Sequence, residues 1–144
     1  MAKGQNDLRS SPGHKDHPEH KVIESQPRAE YVLTFNGHVV AHSADVIKVE
    51  EDEHIDRFYF PLNSIEKGLL RASDKRTFCP FKGEAGHFTL SLGEDVENVA
   101  WTYLEPFKEH ADLRGRVAFY HERKGFELKE NFLGFYDRAF GPRP

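Results

Sequence analysis

From Lys21 onward, short runs of β-branched and aromatic residues alternate with turn formers, a pattern of strands rather than helices. The clearest run is Tyr31-Val32-Leu33-Thr34-Phe35, followed by Asn36-Gly37 and then His38-Val39-Val40-Ala41. Asn-Gly accepts positive φ at both central positions of a type I′ turn, so the pair predicts a tight antiparallel hairpin. A two-residue loop then sets the register: Phe35 faces His38, Leu33 faces Val40, and Tyr31 faces His42. Further strands are predicted over 45–50, 57–60, 87–92, 99–103, 116–120 and 126–129. There are too few helical stretches to supply the crossovers of a parallel sheet, so the pattern predicts a mainly β domain built from antiparallel sheets.

One or two short helices complete the expected elements. Over about residues 63–72, Asn63 is placed to cap, Glu66 stands at the third helical position, and Leu62, Ile65, Leu69 and Ala72 form an apolar stripe. Gly68 weakens this helix by about 1 kcal/mol relative to alanine. A second helical turn is expected over about 105–112, after Pro106. Residues 1–20 hold only Met1 and Leu8 as large apolar side chains and read as a mobile tail before a single domain over 21–130. Residues 131–144 carry Phe132, Phe135, Tyr136 and Phe140, so this extension is expected to dock on the body or on a second subunit, as in a homodimer.

Composition narrows the function classes. A chain of 144 residues has room for one core, and 38% hydrophobic with 31% charged content describes a globular protein. A net charge of -4, with acids interspersed among the bases and an acidic run Glu50-Glu51-Asp52-Glu53, argues against nucleic acid or anionic membrane as partner. One cysteine excludes an internal disulfide and a cysteine-rich zinc site. No apolar stretch approaches the ~20 residues of a membrane span, and the N-terminus lacks the apolar region of a secretory signal, so a cytoplasmic location is expected.

Candidate chemistry falls in three clusters. Thr77-Phe78-Cys79-Pro80-Phe81-Lys82-Gly83-Glu84-Ala85 gathers a thiol, an amine and a carboxylate in six residues. A cation such as Lys82 or Arg76 favours the thiolate, which suits Cys79 to a nucleophilic or redox role with Glu84 as proton acceptor; the alternative is a buried thiol beside a solvated lysine. Trp101 and Tyr103 share one face of a strand, either as a stacking wall for a planar ligand or as core. In Arg57-Phe58-Tyr59-Phe60-Pro61 the alternation pairs Arg57 with Tyr59, and Arg57 is a candidate anion contact. His14, His17 and His20 recur every three residues, but Pro18 forbids a regular helix through them, so no metal site is assigned. His38 and His42 share the hairpin, while His87, His110 and His121 are isolated.

Taken in order, Arg57 to Pro61, Phe78 to Ala85, Asn98 to Tyr103 with Glu105-Pro106-Phe107, and Gly115 to Tyr120 resemble the family called domain of unknown function 427, over about residues 20–129. That family is also labelled nucleotidyltransferase-like. The resemblance implies a β-tent architecture, two antiparallel sheets meeting at an angle, as in B-type methionine sulfoxide reductases and the ligand-binding domain of cereblon. It implies a small-ligand cleft between the sheets. Many β-tent proteins hold zinc on paired cysteine knuckles, and Cys79 alone departs from that pattern. The readings carried forward are a small-ligand-binding domain, catalytic through Cys79, a non-enzymatic interaction module, and a nucleotidyltransferase-like enzyme, with no cofactor named.

Overall fold

The computed structural model describes residues 8–132. It is mainly β, with ten strands in two antiparallel sheets. The strands are β1 (Val22–Ser25), β2 (Ala29–Phe35), β3 (His38–Ser43), β4 (Ile47–Glu51), β5 (Arg57–Pro61), β6 (Leu70–Cys79), β7 (Gly83–Leu92), β8 (Glu94–Pro106), β9 (Arg116–Phe119) and β10 (Phe126–Phe132). The large sheet runs β1-β4-β5-β9-β8-β7-β6, and the small one β10-β2-β3.

Strand alternation gives the large sheet two buried faces. Phe60, Val117, Phe119 and Ala100 point toward the small sheet and pack on Tyr31, Leu33, Phe35, Val40 and Ala41. Their sequence neighbours Tyr59, Ala118 and Trp101 point the other way, joining Ile47, Val49, Ala85, Tyr103 and Leu113 in a second cluster. The space between the sheets is therefore filled by core. No cleft opens there among the described residues; a cavity lies on the outer face of the large sheet.

The predicted hairpin forms, with Asn36 at φ 49° and Gly37 at φ 86°. Its register starts as expected, Phe35 facing His38, and then shifts at a bulge between Leu33 and Thr34. Leu33 consequently faces Ala41 rather than Val40, and Tyr31 faces Ser43 rather than His42. The bulge lets the consecutive residues Val40 and Ala41 both be buried.

The helix expected over 63–72 does not form. Leu62–Ser64 makes a 3₁₀ turn without a side-chain cap, Gly68 adopts φ 90°, and Leu70 already begins β6. A left-handed glycine ends any helix, and the ladder from Leu70 to Cys79 along β7 takes over. The second expected helical turn appears as a 3₁₀ segment, Lys108–Leu113.

Within the stretch expected to be a mobile tail, residues 8–20 pack on the body. Ser11 caps a single helical turn, α1 (Pro12–Asp16), by accepting from the His14 amide, and Leu8 and Ser11 are buried. The chain continues past residue 20 straight into β1. Asn131 and Phe132 extend β10 against Glu30 and Ala29, while the rest of the aromatic extension lies outside the described residues. Among the described residues no helix is long and apolar enough to cross a membrane.

Candidate functional site

On the outer face of the large sheet a cavity of about 240 Å³ is lined by Arg57, Tyr59, Cys79, Lys82, Trp101 and Tyr103. These are six of the seven residues singled out by sequence, and three different segments deliver them. Arg57 and Tyr59 alternate on β5, Trp101 and Tyr103 alternate on β8, and Cys79 and Lys82 flank the turn from β6 into β7. Gly83, at φ 124°, makes that turn: a Cβ there would stand 3.0 Å from the Glu105 carbonyl oxygen and 3.2 Å from the Pro106 Cα. Only glycine combines that dihedral with so close a backbone.

Glu84 does not join them. The β6–β7 register pairs Phe78 with Glu84 and Thr77 with Ala85. Glu84 is exposed on the opposite face of the sheet, beside Phe78, Leu104 and Phe107, and it cannot accept a proton from Cys79. Alternation explains the exchange of faces: Cys79 and Phe78 are adjacent in a strand, so they point to opposite sides.

The carboxylate of the cavity is Glu51, a member of the acidic run. It pairs with the Lys82 ammonium, and both side chains are less than one-tenth exposed. His20 Nε2 bonds its other oxygen at 2.9 Å. Burial by itself raises this carboxyl, but the hydrogen bonds from Lys82 and His20 and the charges of Lys82 and His54 outweigh it and hold the group below its ordinary range. The sequence offered a signal: on β4, Ile47, Val49 and Glu51 alternate onto one face, two apolar residues leading to a buried acid.

Arg57 is also paired. Its guanidinium lies 5.2 Å from the ring centroids of both Trp101 and Tyr120, and it donates to Glu122 at 2.7 and 3.0 Å. Those hydrogen bonds pull the Glu122 carboxyl down to about 2. Deeper in, Trp101 Nε1 donates to the Tyr59 hydroxyl at 3.3 Å, and the Tyr103 ring lies 6.3 Å from that of Tyr59. Burial pushes both phenols well above their ordinary value, so they stay neutral. His87, 2% exposed, bonds Thr77 Oγ1 at 2.8 Å through Nε2, while its buried Nδ1 has no protein partner. Burial and the charges of Lys75, Arg76 and Arg123 lower its pKa and favour the neutral ring.

The cavity therefore combines a thiol, two neutralised cations, neutral phenols and an imidazole under an indole wall. A family model described as Domain of unknown function (DUF427), labelled NTP_transf_9, matches residues 23–130. The chain belongs to that family. The match takes in every residue of the cavity wall, but not α1 and the segment leading into β1. No curated protein matches the chain. Among the described residues no group of three or more His, Cys, Asp or Glu side chains is arranged to hold a metal ion.

Proposed function

We propose that the outer face of the large sheet binds a small, uncharged, planar molecule. The observation that carries this reading is the charge pairing inside an aromatic-walled cavity: Lys82 is matched by Glu51 and Arg57 by Glu122. An anion seeking Lys82 would have to take it from Glu51 and leave that carboxylate buried without its partner, a loss of several kcal/mol. A neutral ring instead exchanges water for the faces of Trp101, Tyr103 and Tyr120 while the ion pairs stay intact. The volume of about 240 Å³ lies just below the usual range for drug-sized ligands, which points to one ring or a fused pair.

Trp101 is the single tryptophan of the chain, so its emission reports directly on this wall. Benzamide is expected to shift that emission saturably, and benzoate, the same shape with a charge, to bind at least about tenfold more weakly, a difference of about 1.4 kcal/mol. If neither binds, the site reading fails. If benzoate binds as well as benzamide, the uncharged class fails.

Catalysis through Cys79 is a second reading, favoured by the thiol lining the same cavity as His87 and Lys82. It predicts that dithiodipyridine reacts with Cys79 faster than with a free cysteine peptide at each pH, and that benzamide slows the reaction. A rate no faster than the peptide's removes the catalytic reading and leaves the binding one. The nucleotidyltransferase label gains less support, because the cations that would meet a triphosphate are already paired.

A further inference from the structure

The segment 8–20 lies across the bend Pro80-Phe81-Lys82 like a strap. Gly13 N–H donates to the Pro80 carbonyl at 2.9 Å, Ser11 Oγ donates to the same oxygen at 2.7 Å, and the Ser11 amide donates to the Glu109 carboxylate. His20 stacks on the Phe81 ring at 4.4 Å and His14 meets it edge-on at 5.0 Å. Gly13 fits with no room to spare, since a Cβ there would lie 2.8 Å from both the Pro80 oxygen and the Phe81 ring.

The fastening contains a chain of three titratable groups. Glu24 on β1 accepts from His110 Nδ1 at 2.5 Å, and His110 Nε2 faces His14 Nε2 at 2.8 Å. His110 is 3% exposed. A carboxylate only accepts, so His110 carries its proton on Nδ1 and offers a bare Nε2 to the N–H of His14. One added proton can sit on His14 Nδ1 and leave this bond in place. A second has to go on His110 Nε2, where two N–H groups would then point at each other across 2.8 Å.

We propose that this strap is a proton-operated cover, docked when the His14–His110 pair is neutral and released as the pair takes up protons. The charged groups around the pair are Glu24 from β1, Glu109 from the 3₁₀ segment, Lys82 from the bend, and His20 on the strap itself. Burial first, then His110, and more weakly His20 and Lys82, hold His14 below its ordinary value of 6.5, against the opposing pull of Glu109, which exceeds that of His20 or Lys82 taken singly. The docked state thus binds a proton on His14 less readily than the open one, so docking is full above about pH 6.5 and weakens as pH falls below it. Release also withdraws His20 from Glu51, the carboxylate that neutralises Lys82 in the cavity. The cover is argued from the strap's own contacts and stands or falls independently of the ligand reading.

Amide hydrogen exchange on the full chain, read by NMR at about pH 7.5 and about pH 5.5 and corrected for intrinsic rates, tests this. The reporter is the Gly13 amide, and the control is the Tyr120 amide bonded to Val99 on the body. Opening at Gly13 is expected to rise several-fold, up to about tenfold, at the lower pH while the control stays unchanged. His14→Phe keeps a ring against Phe81 but cannot titrate, and it should abolish the rise. Gly13→Ala unseats the strap mechanically and should give fast exchange at both pH values. Unchanged Gly13 protection in the native chain, the same rise in His14→Phe, or full protection in Gly13→Ala overturns the proposal.

Discussion

Replacing Glu51 by leucine is expected to destabilise the protein by about 3–5 kcal/mol, read as a loss in urea midpoint at unchanged slope. The substitution strands the Lys82 ammonium on a side chain that is 8% exposed, and it also removes the acceptor of His20. Breaking one half of a buried pair is far worse than lacking the pair. Accordingly, Glu51→Leu combined with Lys82→Met should recover most of the loss, since two apolar side chains of similar volume fill the place of two charges. Acid sensitivity should move with it. The folded Glu51 carboxyl titrates below its ordinary 4.5, so the unfolded chain takes up that proton first. Its contribution is complete above about pH 5 and is lost as pH falls below 4.5, and the double variant should lack that part of the acid transition.

Glu51 also shows what was and was not legible in the sequence. The strand pattern was readable because alternation is a local property: Arg57 with Tyr59, and Trp101 with Tyr103, reach one cavity for the reason their spacing predicts. Which face of the sheet they reach is not local. It depends on how the second sheet docks, and that sheet fills the space between the two layers with Tyr31, Leu33 and Phe35. In the sequence the acidic run speaks only against an anionic partner; that Glu51 turns inward follows once β4 is known to carry Ile47 and Val49 on the face it shares with Glu51.

The helix expected over 63–72 failed for a related reason. Half of its apolar stripe is genuine burial, with Ile65 and Leu69 in the core while Leu62 and Ala72 are exposed, and the two buried residues sit in connecting backbone on either side of a left-handed Gly68. Apolar spacing alone cannot separate a helix face from a turn whose apolar residues happen to recur every four positions. Glu84 and Glu51 complete the contrast. Proximity in sequence put a carboxylate next to Cys79 on paper, and strand alternation sent it to the opposite face, while a residue 31 positions before Lys82 supplies the carboxylate of the cavity.

Trp101→Ala is expected to lose about 3–5 kcal/mol of stability, and Trp101→Phe considerably less. The indole is 7% exposed, packs on Tyr120 at 4.5 Å and on the edge of Tyr59 at 6.3 Å, and floors the Arg57 guanidinium. Alanine removes all of these contacts, whereas phenylalanine keeps an aromatic surface under Arg57 and loses mainly the Nε1–H donated to Tyr59. Stability alone cannot tell a wall from a core residue, because both are buried. Benzamide titrated calorimetrically into Trp101→Phe separates them. If the indole is the stacking wall, the smaller ring weakens binding several-fold while the fold remains cooperative, since offset stacking scales with the shared aromatic face. If Trp101 is core only, the variant binds benzamide as the native chain does, and the wall must be assigned to Tyr103 and Tyr120 instead.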